Sequence, residues 1–288
     1  MQKLISILGI GLLTAACTSG GASGSPGITP APTTYNVATG SDQLVLRITT
    51  GGGLVPISVL LTHKPWFALY GDGRIVVQGP ATAIYPASLL PNLRQMHVTP
   101  AEIQKIVAAA DRAGLLGPDA RFDATGIFDA SSTTFTTIVD GKTHTIGAYA
   151  LDYDAAPVDA AAAEARKKLS GLEDEVGDLS AFLGRKVSDA EAYDAAAMRL
   201  FTSPFDSSDP TSSTRQVVAW PLSVDPGTAG EAVKVPKTRC LVVTGSDLAT
   251  FLTVARTANT MTIWSYGAGR YSVFVRPLYP DETGCPVS

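Results

Sequence analysis

Three cysteines, Cys17, Cys240 and Cys285, are the residues of this 288-residue chain whose chemistry is most readily inferred. Cys17 stands alone near the start, whereas Cys240 and Cys285 form an even pair late in the chain. In an oxidising compartment such a pair predicts a disulfide bond. A metal or redox pair is the alternative, but the chain has no Cys-x-x-Cys spacing and no histidine after His144. We therefore expect a structural disulfide, with no metal site and no cofactor.

The residues ahead of Cys17 have the pattern of an export signal. Lys3 supplies a positive charge, and the uncharged run from Leu4 to Ala16 is too short to cross a bilayer as a helix. Residues 13–17, Leu-Thr-Ala-Ala-Cys, resemble the bacterial lipobox, with the leucine one place earlier than in the usual pattern. The alternative is ordinary secretory cleavage near Ala16, which would release a soluble protein.

The resemblance covers only residues 13–17 and implies a bacterial lipoprotein. It implies a signal peptide over residues 1–16 and a lipid anchor, palmitate among its chains, on Cys17. A protein of this kind lies in the cell envelope, on the extracytoplasmic face of a membrane. The membrane is then the first expected partner, through the anchor.

Residues 17–40 form the predicted tether. They are rich in Thr, Ser, Gly, Ala and Pro, which bury little apolar surface and are typical of disorder. A flexible chain of this length spans roughly 25 Å, enough to hold a domain clear of the lipid headgroups.

The composition of the whole chain describes a folded, mildly acidic protein. Hydrophobic residues make up 45% and charged residues 17%, and the net charge is −4. Apart from Lys167-Lys168 there is no basic cluster, so nucleic acid is not an expected partner. An envelope protein or a glycan is the partner class that remains.

Short alternating runs separated by turn residues predict an α+β fold. Its antiparallel sheets would be built from hairpins, with capped helices packed on one face. Turns at Gly71-Asp72-Gly73 and Asp140-Gly141 predict two of the hairpins. Residues 54–61 read as a further strand.

Three helices carry specific sequence signals. Thr99, Pro100 and Glu102 predict the start of a helix that stops at Gly114. A heptad-like apolar stripe predicts one long helix over residues 157–183. We expect this helix to lie across the sheet rather than to form a dimer seam. A capping pattern predicts a short helix over residues 188–200.

The polar loop 204–214 is the predicted boundary between two domains or halves, residues 41–203 and residues 215–288. The segments that begin at Val98-Thr99 and Val243-Thr244 share helix spacings. They predict two similar strand-helix-hairpin units, by duplication or by the common pattern of capped amphipathic helices.

Motifs of catalysis are missing: the chain has no Gly-x-Ser-x-Gly, His-Glu-x-x-His, P-loop or dinucleotide-binding pattern. We assign no catalytic residue and expect a binding or structural envelope component of unknown molecular function. One alternative is an envelope hydrolase whose site is assembled from scattered residues such as His63, His97, His144 and Asp123. Another is a small-molecule or lipid carrier with an apolar cavity under the long helix.

Carboxylates and aromatic residues supply the remaining candidates. The carboxylates fall into three groups, which we interpret as loop solvation, helix capping and the wet face of a helix: Asp123 and Asp129; Asp152 and Asp154; Glu173, Asp174, Glu175 and Asp178. Two aromatic pairs lie on hairpin strands, each expected to share one face of its strand: Trp66 with Tyr70, and Trp264 with Tyr266. We favour core positions for them, with a glycan-binding or protein-binding platform as the alternative.

Overall fold

The computed structural model describes residues 33–154, 156–208 and 214–285. The predicted signal peptide, Cys17 and most of the predicted tether therefore lie outside the described residues. Residues from Thr34 onward form one compact unit. Its fold class is α+β, as the sequence predicts.

The described residues contain five α-helices and one short 3-10 helix, Gly184–Lys186. The α-helices are α1 (Ile57–Leu61), α2 (Pro100–Arg112), α3 (Ala160–Gly177), α4 (Leu179–Leu183) and α5 (Gly245–Ala255).

The strands in chain order are β1 (Leu44–Gly51), β2 (Phe67–Tyr70), β3 (Arg74–Gln78), β4 (Leu93–His97), β5 (Ala120–Arg121), β6 (Ala124–Thr125), β7 (Ser132–Val139), β8 (Lys142–Tyr149), β9 (Ala156–Pro157), β10 (Glu191–Ala192), β11 (Ala197–Pro204), β12 (Val217–Ala219), β13 (Glu231–Ala232), β14 (Arg239–Thr244), β15 (Ile263–Tyr266) and β16 (Gly269–Pro277). The first sheet has the order β10-β4-β3-β2-β1-β7-β8-β5, the second has the order β12-β15-β16-β11-β14-β13, and β6 pairs with β9. Neighbours are antiparallel except β5–β8 and β12–β15.

Two predicted hairpins form the centre of the first sheet. β2 and β3 are joined through Gly71-Asp72-Gly73, and β7 and β8 through Asp140-Gly141. Asp140 and Gly141 both have positive φ, 53° and 69°, as a tight two-residue hairpin turn requires. β1 lies between the two hairpins.

The helices α2, α3 and α4 cover one face of the first sheet. Ile48 of β1 and Phe135 of β7 are fully buried there, against Ile106 of α2 and Leu169 of α3. These apolar contacts remove the sheet face from water, which is the main source of stability for such a layer.

The predicted start and stop of α2 are confirmed. Thr99 is the N-cap residue and Pro100 occupies the first turn. Gly114 follows the helix with a φ of 89°, and the Leu115 N–H donates to the Ala110 carbonyl. Leu115 then returns to the core, which fixes the end of the helix.

The predicted long helix is divided into α3 and α4. Asp159 caps α3 by accepting a hydrogen bond from the Ala162 N–H, and Asp178 caps α4 by accepting one from the Ala181 N–H. The break follows Gly177, where the chain leaves helical geometry at Asp178. The apolar stripe nevertheless packs on the sheet along both helices, as expected for a helix lying across it.

Two sequence predictions of local structure are wrong. Residues 57–61, expected within a strand, form α1, none of whose residues is buried. Residues 188–200, expected to form a short helix, contain no helix: residues 191–192 are β10 and residues 197–200 belong to β11. β11 pairs with β14 on one side and β16 on the other, and these long-range hydrogen bonds outweigh a local helical pattern.

The second sheet has its own core beneath α5. Phe251 of α5 stacks on Trp264 of β15 with ring centroids 5.5 Å apart, and Trp220 packs edge-on against Trp264. Because β11 belongs to this sheet, the two sheets divide ahead of Ala197 rather than in the polar loop 204–214.

Both strand-helix-hairpin units are present, as β4-α2-β7-β8 and β14-α5-β15-β16. They join their sheets differently. In the first hairpin the leading strand β7 pairs with the long strand β1 and the trailing strand β8 with the short strand β5. In the second hairpin the trailing strand β16 pairs with the long strand β11 and the leading strand β15 with the short strand β12. The shared pattern therefore does not extend to the topology.

Residues 278–285, which we call the C-terminal strap, join the second sheet to the first. Tyr279 is fully buried on the face of the first sheet opposite the helices, and its hydroxyl donates to the Pro65 carbonyl over 2.8 Å. Asp281 accepts hydrogen bonds there from Arg47 and from the Tyr70 hydroxyl, over 2.6 and 2.8 Å.

Candidate functional site

The cysteine pair is joined as expected. The sulfur atoms of Cys240 and Cys285 are 1.99 Å apart. Cys240 is fully buried in β14, and Cys285 closes the C-terminal strap. The bond therefore holds the strap against the second sheet. Cys17, the predicted lipid-attachment site, lies outside the described residues.

The four residues of the hydrolase hypothesis are not brought together. His63 lies 2.8 Å through Nε2 from the Thr50 carbonyl oxygen, and His144 lies 2.8 Å through Nδ1 from the Gly117 carbonyl oxygen. His97 ends β4, and Asp123 accepts hydrogen bonds from the Tyr149 N–H and from Arg121. In the described part of the chain, no three His, Cys, Asp or Glu side chains are placed to hold a metal ion.

The aromatic residues separate into core and surface positions. Tyr70 and Trp264 are fully buried, and Tyr266 is half-buried beside Trp264. Trp66 is also half-buried, but it packs on the helix-covered face of the first sheet whereas Tyr70 lies on the other face. The expectation that Trp66 and Tyr70 share one face is wrong, because β2 begins only at Phe67 and Trp66 precedes the regular alternation.

Trp66 lies in a depression of about 630 Å³, which we call the Trp66 groove. Strands, a loop and a helix all contribute side chains to it: Thr50, Trp66, Leu151, Asp152, Tyr153, Ser170, Glu173 and Asp174. The groove opens to solvent, since Tyr153 in its lining is 48% exposed.

Strand pairing explains why these residues meet. β1 ends at Gly51, which pairs with Ser132 of β7, and Ser132 in turn pairs with Tyr149 at the end of β8. The chain therefore leaves β8 toward Asp152 at the same end of the sheet. The backbone N–H of Trp66 donates to the Ile48 carbonyl over 3.1 Å, which holds Trp66 at this end of the sheet.

Glu173 is the group with the most altered acidity in this groove. Burial, and then the nearby charges of Asp152 and Asp174, raise the pKa of Glu173 from its ordinary value to about 7. Both causes disfavour the ionised carboxylate. A positive charge delivered to the groove would have the opposite effect and would favour ionisation.

The carboxylates of the groove lack cationic partners. Among the residues that the structure describes, no basic side chain forms an ion pair with Asp152, Glu173 or Asp174. Arg166 is buried, and its guanidinium donates hydrogen bonds to the backbone carbonyls of Phe122, Tyr149 and Ala150. Its electrostatic interaction with Asp152 therefore acts only at longer range. An open aromatic ring beside unpaired carboxylates suits a ligand with positive charge or many hydrogen-bond donors.

A second depression, which Gln78, Asp178 and Ser180 also line, shares Trp66 with the groove. It has a volume of about 290 Å³, and Val77, Met96, Val176 and Leu179 contribute apolar side chains to it. It runs beneath the end of α3, where the carrier hypothesis places a cavity. Trp66 thus lines both the acidic groove and this second depression.

A second cluster of charges lies between the sheets and is structural. Arg276 binds both carboxylate oxygens of Glu282 over 2.6 Å and donates through Nε to the His63 carbonyl over 2.5 Å. Burial alone would raise the pKa of Glu282, but the hydrogen bonds and charge of Arg276 outweigh it and the pKa is lowered. With its donors and acceptors paired, this cluster clamps the C-terminal strap.

The sequence singles out four of the eight groove residues, but it does not predict that they meet. Trp66 is noted as a platform candidate, and Asp152 and Glu173 appear in separate carboxylate groups. Their meeting depends on contacts between residues about a hundred positions apart, and no local spacing signals it. The Arg276–Glu282 clamp has no sequence signal beyond the residue types.

Comparison with known proteins adds no relative. The chain matches no protein-family model, no curated protein and no solved structure to which it was compared. Among the described residues, none of the helices combines the length and the apolar character needed to span a bilayer.

Proposed function

We propose that this chain is a lipid-anchored extracytoplasmic protein that binds another envelope component in the Trp66 groove. The observation that carries the binding role is the half-buried indole beside three carboxylates without cationic partners. Unpaired charges in a partly desolvated depression lower stability, so a ligand that pairs them gains affinity.

The location rests on the first part of the sequence and on the disulfide. The lipobox-like residues 13–17 end at Cys17, the expected anchor. The Cys240–Cys285 bond is of the kind that persists in oxidising compartments outside the cytoplasm. A palmitate-bearing anchor would leave the folded unit free to meet partners at the membrane surface.

Metabolic labelling with a lipid precursor tests the anchor. We expect label on the wild-type protein and none on the Cys17→Ala variant, which should also leave the membrane fraction. An unlabelled wild-type protein would refute lipid attachment and favour release after cleavage near Ala16.

A photo-crosslinking residue at Ser170 tests the groove in living cells. Ser170 lines the groove, and Ser203 of the second sheet is a matched half-buried control site. We expect one discrete adduct from position 170, its loss on Trp66→Ala, and no such adduct from position 203. Equal adducts from both positions, or none from position 170, would contradict the binding role.

A second candidate function is glycoside hydrolysis, favoured by one observation. Glu173, with a pKa of about 7, has the acidity of a general acid, and Asp152 is a carboxylate beside it. Cleavage of cell-wall glycan fragments by the wild type, with at least about 100-fold loss in Glu173→Gln, would support this function. Binding of the same fragments without turnover would support the binding role instead.

A further inference from the structure

The segments that adjoin the Trp66 groove in the chain carry large apolar side chains that are partly or almost fully exposed. Leu54 is 84% exposed and Phe128 is 90% exposed. Ile57, Val59 and Leu60 of α1 are each about half exposed. We call these five residues the apolar patch.

Two separate loops are held together to form this patch. The Leu54 N–H donates to the Asp129 carbonyl over 3.4 Å, which brings the Leu54 loop to the loop of Phe128. Gly53 lies so close to Asp129 that an added Cβ would come within 2.5 Å of that carbonyl oxygen. The loops that carry Leu54 and Phe128 therefore contact each other directly.

Short stretches of chain connect the patch to the groove. The chain passes from Thr50 in the groove to Leu54 and α1, and returns through His63 to Trp66 in the groove. The His63 imidazole contacts the Thr50 carbonyl oxygen, which holds the segment between Thr50 and Trp66 against the sheet. Exposed apolar side chains that are grouped on neighbouring segments are typical of interaction sites in soluble domains.

The charge around this surface is negative. Residues 48–62 carry no charged side chain, and the exposed carboxylates of Asp129, Asp152 and Asp154 lie on the neighbouring loops. Glu173 and Asp174 add two more in the groove. Among the bases of this region, Lys64 lines a separate depression with the loop between β3 and β4, and Arg276 is paired with Glu282. Arg166 donates its hydrogen bonds to backbone carbonyls.

We propose that the apolar patch and the Trp66 groove together bind a basic, amphipathic segment of another envelope protein. The proposal rests on the proposed binding function and names the class of its partner. Apolar side chains of the segment would cover Leu54 and Phe128, and its Lys or Arg side chains would pair with Asp152 and Glu173 in the groove.

Charge complementarity separates this partner from two other occupants. A second copy of the chain would bring carboxylates against carboxylates, which is unfavourable. A membrane with anionic lipids would repel the same carboxylates. The chain also enters the folded unit at the opposite end of β7, where the Asp140 N–H donates to the Asn36 carbonyl.

A peptide titration on the full-length protein tests the proposal. The probe is a synthetic amphipathic peptide of Lys and Leu, about 18 residues long, and the control peptide has Glu in place of Lys. We expect the Lys peptide to bind and the Glu peptide not to bind. Leu54→Ser with Phe128→Ser should weaken binding by at least about 10-fold, since each buried apolar side chain contributes roughly that factor.

Two further variants distinguish electrostatic binding from nonspecific hydrophobic binding. Glu173→Gln should weaken binding by about 3- to 10-fold and reduce its dependence on salt. Val217→Ser, at another exposed apolar residue on the edge strand β12, should leave binding unchanged. Equal binding of both peptides, or wild-type affinity in the Leu54 and Phe128 variant, would overturn the proposal.

The other occupants and the proposed function have their own outcomes. Binding to vesicles with about one-third phosphatidylglycerol, or dimerisation abolished by Leu54→Ser, would replace the basic partner with a membrane or a second copy. A Ser170 adduct in cells with no effect of the patch variant on peptide binding would retain the proposed function and reject this partner class. If neither the Ser170 adduct nor binding of the Lys peptide is observed, both the proposed function and the partner class are rejected.

Discussion

Glu282 and Glu173 are both partly buried carboxylates, and their neighbours make them opposite in behaviour. Glu282 receives two hydrogen bonds from Arg276, and its pKa is lowered. Glu173 has no cation in reach and two like charges nearby, and its pKa rises to about 7. The Arg276–Glu282 pair stabilises the fold, whereas the unpaired Glu173 carboxylate remains available to a ligand.

Glu173→Gln should therefore change the pH dependence of stability. The folded-state pKa of Glu173 is raised, so its ionisation favours the unfolded chain as the pH rises from the unfolded value toward 7. Near pH 4 the wild type and the variant should be equally stable. By pH 8 the variant should be the more stable by about 1–2 kcal/mol, a figure reduced for solvent screening. Urea unfolding at both pH values measures this, and an unchanged difference would refute it.

Glu282→Gln should destabilise the protein strongly. It removes one partner of the Arg276–Glu282 pair, whose side chains are only 7% and 15% exposed, and leaves a buried guanidinium unpaired. We expect a loss of about 3–5 kcal/mol in the free energy of unfolding. Because the pKa of Glu282 is lowered, this difference should be present at neutral pH and fall as the pH drops through the folded-state pKa. Asp194→Asn, an exposed control, should have little effect.

At the scale of the elements, local signals succeed where one turn or one cap decides the outcome. The Asp140-Gly141 turn and the start of α2 need only a few residues, and both are confirmed. β11 is different, since its strand geometry comes from pairing with β14 and β16. The apolar spacing at Met198 and Leu200 fits a helix or a strand, and sheet partners far along the chain decide between them.

Leu169→Ala should test how α3 is held. Leu169 is fully buried against the first sheet, so its truncation should cost about 2–5 kcal/mol of unfolding free energy. The loss should not depend on protein concentration, because the contact lies within one chain. Lys168→Ala, on the exposed side of the helix, is the matched control. A concentration-dependent loss would instead indicate a dimer seam along the heptad-like stripe.

At the scale of the whole molecule, the C-terminal strap integrates the two sheets. Its disulfide ties it to β14, while Tyr279 and Asp281 bind it to the first sheet. The loop between β3 and β4 adds a second connection, since the Leu89 N–H donates to the Ala258 carbonyl over 3.1 Å. Both connections join the two halves that the sequence analysis divides at the polar loop 204–214.

Reduction of the disulfide should weaken this integration. The bond closes a loop with a sequence separation of 45, which corresponds to roughly 4 kcal/mol in the chain-entropy model. Urea unfolding with and without reductant should differ by about that amount or less. Cys285→Ala should reproduce the reduced protein and should not respond to reductant. Equal stability in both conditions would contradict a structural role for the bond.

The sequence by itself determined the features that depend on neighbouring residues or on the even number of cysteines late in the chain. These are the α+β class, the turn at Asp140-Gly141, the limits of α2 and the pairing of Cys240 with Cys285. It also predicts an exported, lipid-anchored protein from residues 1–17. Each follows from local backbone preferences or from a count, so no knowledge of distant contacts is needed.

Only the tertiary structure decided which distant side chains meet. Trp66 and Glu173 reach one groove because the ends of β1 and β8 coincide and α3 crosses above them. Leu54 and Phe128 form one patch because a single backbone hydrogen bond joins their loops. Residue types suggest what such groups do, but their chemistry depends on distance, and long-range pairing sets the distances.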